Sequence, residues 1–247
     1  MSAAPEEAPG PTVRSLRADG LTVAFGSVTV VPPIAFEALA GQWTAITGPS
    51  GSGKSVLLLA LAGLLPPVAG RVLLDDEVVV EAPGPGRLAS DAGRTPWWCG
   101  DVSPAVVAQD SRLHPLLTVE ETVSLPRRLR RGGPGSTGRP VRPLLADLGL
   151  AAAAGRAVGR LSGGQRQRVA LGTALASGSP ILLLDEPVAE LDGASAAAVR
   201  GLLQDAADRG CIVVLATTDP ALLASSAAVV ALGQPASRDT FPNTDHS

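Results

Sequence analysis

Three short stretches of this chain carry residue types and spacings that could do phosphate chemistry. The first is Gly48-Pro49-Ser50-Gly51-Ser52-Gly53-Lys54-Ser55, which fits G-x-x-x-x-G-K-[ST]. Glycines let backbone N–H groups curl around phosphate oxygens without Cβ clashes. A helix opening at this point would add its partial positive charge. Lys54 then suits the β- and γ-phosphates of a nucleoside triphosphate, and the Ser55 hydroxyl suits Mg²⁺. The second stretch, Ile181-Leu-Leu-Leu-Asp185-Glu186, is an apolar run that delivers two adjacent carboxylates. Side chains alternate along a strand, so the two acids can serve different tasks. Asp185 suits Mg²⁺ through water, and Glu186 suits a base that polarises an attacking water. The third is Leu161-Ser162-Gly163-Gly164-Gln165, a Ser-Gly-Gly turn that would open a second helix and form a second anion site. One chain needs only one triphosphate cradle, so this motif requires a separate explanation.

The elements that must position these groups can be read around them. Gly41–Thr47 is an apolar run of strand length ending at the glycine-rich turn, and Val56–Leu65 reads as a helix ended by Pro66-Pro67. Leu21–Phe25 and Val28–Val31 read as short strands, and Arg71–Leu74 with Val78–Val80 as a hairpin around Asp75-Asp76. Residues 82–96 form a Pro/Gly-rich loop. Val119–Arg131 begins a helical stretch, broken by Pro126 and by a loop from Gly132 to Pro140. Val141–Leu148 is a further helix. Beyond Leu161, helices over Gln165–Ala176 and Ala194–Arg209 alternate with buried strands at Ile181–Leu184 and Cys211–Ala216, and Ala227–Leu232 adds a third strand. Strands alternating with helices predict an α/β domain with a mostly parallel sheet. Residues 1–15 read as a disordered tail and 234–247 as a polar tail, and the stretch of about 110–160 as a helical subdomain within a domain spanning 16–233.

Composition narrows the classes. The 247 residues are 45% hydrophobic and 17% charged, ample for a sizeable core, and the net charge of −3 gives no reason to expect a nucleic-acid partner. Lys54 is the sole lysine among 20 basic residues. Where arginine can serve, arginine is used; lysine persists only inside the phosphate loop. Cys99 and Cys211 lack metal or redox spacing. No run reaches the ~18 to 20 apolar residues of a membrane span, and the N-terminus lacks a signal-peptide pattern. The expectation is a cytoplasmic protein whose membrane link comes through a partner.

Together the three motifs resemble the nucleotide-binding domain of ABC ATPases, over about residues 16–233. The resemblance implies a P-loop NTPase fold with a mostly parallel core sheet, an antiparallel β subdomain and a helical subdomain. It implies ATP and Mg²⁺ as ligands. It also explains the third motif: two such domains pack head to tail, and Leu161, Ser162, Gly163, Gly164 and Gln165 of one would cap the nucleotide of the other. Phe25 resembles the aromatic that stacks on adenine. Val56 follows the phosphate loop where a threonine is common. Gln109, the only glutamine between Gln42 and Gln165, resembles the glutamine that senses Mg²⁺. Asp192, in Glu190-Leu191-Asp192, resembles the aspartate of the loop crossing the dimer interface. Thr218 stands where the family carries a histidine facing the γ-phosphate; His114 and His246, the only histidines, are far away in sequence. A threonine hydroxyl donates a hydrogen bond but carries no charge, so hydrolysis is expected to be slowed ~10- to 1000-fold with binding retained.

Residues Leu113–Pro126 (LHPLLTVEETVSLP) lie where membrane permease subunits dock in this family. The phrase LLTVEETVSLP resembles ATPases of the lipoprotein-release and macrolide-export type. The Arg127–Arg131 cluster suits acidic loops or lipid headgroups, or equally a solvated helix face. The expected function is ATP hydrolysis that powers transport through separate membrane subunits. Two alternatives stay open: a non-transport ABC ATPase, and an ATP-gated clamp of slow turnover.

Overall fold

The computed structural model describes residues 13–83, 102–109, 113–129 and 139–233. Outside these fall most of the Pro/Gly-rich 82–96 loop, Cys99, most of the Gly132–Pro140 loop, Arg130, Arg131, His246 and both expected tails up to residue 12 and from residue 234.

The core is a five-stranded parallel sheet in the order β6-β7-β8-β3-β9, with β3 at Trp43–Thr47, β6 at Ala105–Val107, β7 at Ile181–Asp185, β8 at Ile212–Ala216 and β9 at Ala228–Ala231. Both faces of the sheet are covered, which is why β7 and β8 are unbroken apolar runs. Ile181, Leu183, Ile212, Val214 and Ile46 point to one side, where they pack with helix α1 (Lys54–Leu61) and the antiparallel sheet. Leu182, Leu184, Val213, Leu215 and Ala45 point to the other, into a core shared with helices α2 (Val119–Leu129), α3 (Val141–Asp147), α4 (Gly163–Ala176) and α5 (Gly193–Asp208). A short helix α6 (Pro220–Ala224) follows β8.

The second sheet is antiparallel, in the order β2-β1-β4-β5, with β1 at Ser15–Phe25, β2 at Val28–Leu39, β4 at Ala69–Leu74 and β5 at Glu77–Glu81. β2 runs well past the expected Val31, straight through Pro32 and Pro33. The prolines are tolerated because β2 is an edge strand and its register with β1 shifts opposite them: Val31 pairs with Val23 and Ile34 with Leu21, so neither proline sits at a regular ladder position. Residues 13–15, expected to belong to the tail, are held in place. Val13 is buried, and the Arg14 and Ser15 N–H groups donate to Asp75 Oδ1 at 2.7 and 2.9 Å. Asp75 and Asp76 both have positive φ, as the tight hairpin turn requires.

Two helices depart from expectation. α1 starts at Lys54 and stops at Leu61, short of the prolines. The N–H groups of Gly63 and Leu64 turn back to Ala60 O and Leu59 O, a closed C-terminal turn that satisfies those carbonyls. α2 continues through Pro126. An interior proline costs about 3 kcal/mol, but Val119 and Val123 are fully buried on this helix and pack it against the core around α4. Its start is fixed by a capping box. Thr118 Oγ1 accepts from Glu121 N at 3.2 Å, and Glu121 Oε2 accepts from Thr118 N at 2.9 Å. The TVEE of the LLTVEETVSLP phrase therefore has a local structural task. No helix among the described residues is long and apolar enough to cross a membrane.

Candidate functional site

All five core strands run parallel, so their C-terminal ends emerge on one edge. β3 feeds the phosphate loop there, β7 ends in Asp185, and β8 between them leads into Thr217. The ladder extends across this edge: Thr217 N–H donates to Ile46 O at 3.0 Å and Glu186 N–H donates to Ala216 O at 2.8 Å. β6, one strand further out, has Val107 in register with Leu184, and Gln109 follows it, exposed, at the same end.

The phosphate loop is shaped by its glycines. Gly53 has φ 93°, and a Cβ there would come within 2.9 Å of Val30 O. No side chain with a β-carbon fits at that point. Lys54 Nζ donates to Gly48 O at 2.8 Å and to Pro49 O at 3.2 Å, arching over the loop. Pro49, Ser50, Gly51 and Ser55 are exposed, whereas Ser52 is buried and its Oγ has no hydrogen-bond partner among the described residues. α1 has no side-chain cap and no acid in its first turn. Its leading N–H donors are thus left for an anion. Uncapped amides, an ammonium and an exposed hydroxyl form a donor set that fits a polyphosphate. Val56 is half-buried and packs against the core beneath the antiparallel sheet. Phe25, at the end of β1, is 53% exposed and so is not a core residue.

Asp185 is buried at 5% exposure where β7 ends. Glu186 follows with φ 46°, in the left-handed region. Burial pushes its carboxyl above the ordinary value. The Thr218 N–H, the Lys54 charge and the Thr217 hydroxyl pull the other way, and Asp185 adds repulsion. The side chain that reaches Glu186 is that of Thr217, fully buried, with Oγ1 at 3.5 Å from Glu186 Oε2. The Thr218 side chain is exposed. The two threonines after β8 thus differ: Thr217 faces Glu186 from the buried side, and Thr218, at the position expected to face a γ-phosphate, is open to solvent.

The Ser-Gly-Gly turn is a capping box. Ser162 Oγ accepts from Gln165 N at 3.3 Å, and Gln165 Oε1 accepts from Ser162 N at 3.1 Å. Leu161 is buried beneath it. A Cβ on Gly164 would sit 2.9 Å from Glu190 O, and one on Gly163 would sit 2.6 Å from Glu190 Oε2. The small residues let the Glu190–Asp192 loop cross the start of α4. Asp192 caps α5 through Ser195, whose N–H and hydroxyl donate to it at 2.8 and 3.0 Å, and these bonds hold its carboxyl below the ordinary value. From α4, Gln167 Nε2 donates to Glu186 O at 2.6 Å. Neither this contact nor that of Thr217 is visible in motif spacing, because both depend on which elements pack together.

A family model described as ABC transporter matches residues 31–189. The molybdenum import ATP-binding protein ModC of Mycobacterium tuberculosis is 38% identical over 191 residues, covering 75% of this chain and 49% of that protein. The cytochrome c biogenesis ATP-binding export protein CcmA of Rhizobium meliloti is 35% identical over 205 residues, covering 83% of this chain and 91% of that one. The chain spans about half the length of ModC and of the similar Fe(3+) import ATP-binding proteins of Rhodococcus jostii. These names cover both import and export. Among solved structures, a dimeric bacterial ABC transporter cassette matches with a TM-score of 0.72 at 26% identity, over 88% of this chain and 94% of that one. A dimeric post-hydrolysis cassette bound to ADP and Pi matches with a TM-score of 0.71 at 27% identity, over the same shares. The motif set, the fold and these likenesses agree: the chain belongs to the ABC transporter family, as an ATP-binding cassette.

Proposed function

We propose that this chain binds ATP at its phosphate loop, pairs with a second cassette and hydrolyses the nucleotide, powering transport through separate membrane subunits at the cytoplasmic face. The observation that carries this reading is the gathering of Lys54, Asp185 and Glu186 at one edge of the parallel sheet, close enough for the Lys54 charge to act on the Glu186 carboxyl. Backbone N–H groups of the loop and the first turn of α1 would bind the phosphates, with Lys54 neutralising their charge. Ser55 and Asp185 would hold Mg²⁺, aided by Gln109, and the ion would screen charge on the phosphates. Glu186 would take a proton from the attacking water at its carboxylate. Phe25, exposed at the end of β1, suits an adenine face. Leu161–Gln165 and Asp192 would face the nucleotide of the second chain. That arrangement is supported by the dimeric cassettes this chain resembles, and the membrane partner by relatives named as import or export ATP-binding proteins.

Thr218 favours a second reading, an ATP-gated clamp of slow turnover, because an exposed threonine replaces a chargeable imidazole. Steady-state ATPase measurements on the purified chain and on Glu186→Gln, with ATP-dependent dimerisation followed by light scattering, test both. The expected result is turnover that Glu186→Gln abolishes while dimerisation persists. Turnover indifferent to Glu186→Gln overturns the assignment of the base. Dimerisation without turnover in either protein favours the clamp.

A further inference from the structure

Glu186 is one of three non-glycine residues with positive φ among the described residues, and the other two form the β4–β5 hairpin turn. A left-handed backbone is unfavourable for a residue with a β-carbon and persists only where its surroundings hold it. Here it is gripped on both sides. The Glu186 N–H donates to Ala216 O at 2.8 Å, and the Glu186 carbonyl accepts from Gln167 Nε2 at 2.6 Å. The first bond belongs to the sheet. The second comes from α4, the helix opened by the Ser162-Gly163-Gly164 turn. The orientation of the Gln167 amide is fixed by chemistry, since only its NH₂ can donate to a carbonyl. Its Oε1 is then buried with no partner among the described residues. A buried unpaired acceptor disfavours folding, so an apolar side chain would serve a purely structural purpose better. Gln167 makes one short bond, and that bond ends on the residue that would do the chemistry.

We propose that Gln167 is a positioning residue for hydrolysis, pinning the strained Glu186 backbone to α4 so that the carboxylate stays aimed at the attacking water. This rests on the reading of Glu186 as the base. Gln167 touches no nucleotide-binding group in this arrangement, so its loss should lower kcat without weakening ATP binding.

The test uses the whole chain with Gln167→Glu, an isosteric change that removes the donor when ionised, and Gln167→Leu, which removes both the donor and the unpaired acceptor. The expected result is a kcat lower by about 5- to 30-fold in both, the range for one lost hydrogen bond. KM for ATP should stay within about twofold, and Gln167→Leu should melt as the parent does. In the nucleotide-free chain, amide exchange in the peptide spanning residues 185–191 should quicken in both variants. The Gln167→Glu deficit should narrow as pH falls, because a protonated carboxyl can donate again. Parental kcat in both variants, with Glu186→Gln inactive, overturns the proposal. So does a kcat loss that only tracks a fall in melting temperature with exchange unchanged. If Glu186→Gln retains turnover, the base assignment fails instead, and the exchange rates still decide whether Gln167 holds the 186 backbone.

Discussion

Thr217 Oγ1 lies 3.5 Å from Glu186 Oε2 and also accepts the Asp219 N–H at 3.0 Å. The side chain is fully buried. With its acceptor side engaged by Asp219, the hydroxyl proton is directed at the carboxylate. The bond is long, at the outer limit of useful geometry, so its contribution is modest. It is nonetheless a hydroxyl contact to Glu186 fixed by the register of β8, between the phosphate loop on one side and Asp185 on the other.

From this it follows that Thr217→Val, nearly isosteric but without the hydroxyl, should lower kcat by about 3- to 10-fold, in line with a weak hydrogen bond. Thr217→Ser, which keeps the donor, should restore most of the rate. Steady-state kinetics on the two variants beside the parent check it. Equal losses in both would mean that packing, not the hydroxyl, is what matters at 217.

Thr218 presents a different case. Its backbone N–H favours the ionised form of Glu186, while its side chain is exposed. A larger side chain can therefore be carried at 218 without disturbing the core. Thr218→His should raise turnover by about tenfold or more, the scale of one charge-stabilising group in a transition state. ATP affinity should change little. A purified Thr218→His chain no faster than its parent would show that the missing imidazole is not what limits this cassette.

The sequence announces those parts of the site that consist of runs. Gly48–Ser55, Leu161–Gln165 and Ile181–Glu186 are legible because loops and strand ends use neighbouring residues. The buried strands β7 and β8 are legible because a sheet covered on both faces leaves unbroken apolar stretches. What is not legible depends on neighbours distant in sequence. The extent of β2 through Pro32-Pro33 is permitted by its edge position together with the register shift opposite the pair, and α2 passes Pro126 because its valines are buried. Only the strand order, with β8 between β7 and β3, sets Thr217 beside Glu186, and only the seating of α4 brings Gln167 to the same residue. Within LLTVEETVSLP, Thr118 and Glu121 also have a local task that spacing alone does not reveal, the cap of α2.

The Glu186 carboxyl makes the last prediction, and the two observables have opposite signs. Burial raises its pKa above the ordinary 4.5. For catalysis, the base is inactive when protonated, so kcat/KM for ATP should fall with decreasing pH along a one-proton limb lying above pH 4.5. For stability, the folded state holds its proton more tightly than the unfolded chain. Unfolding free energy therefore declines as pH rises from below 4.5 through the folded-state pKa, and stays lower above it. Glu186→Gln, which mimics the protonated form, should then melt at a higher temperature than the parent near pH 7 to 8, with the gap closing as pH falls towards about 4.5. Thermal melts of both proteins across that range decide it. A gap of constant size would mean that the carboxylate is not destabilised by its burial, and would remove the physical basis for treating Glu186 as a base tuned by its surroundings.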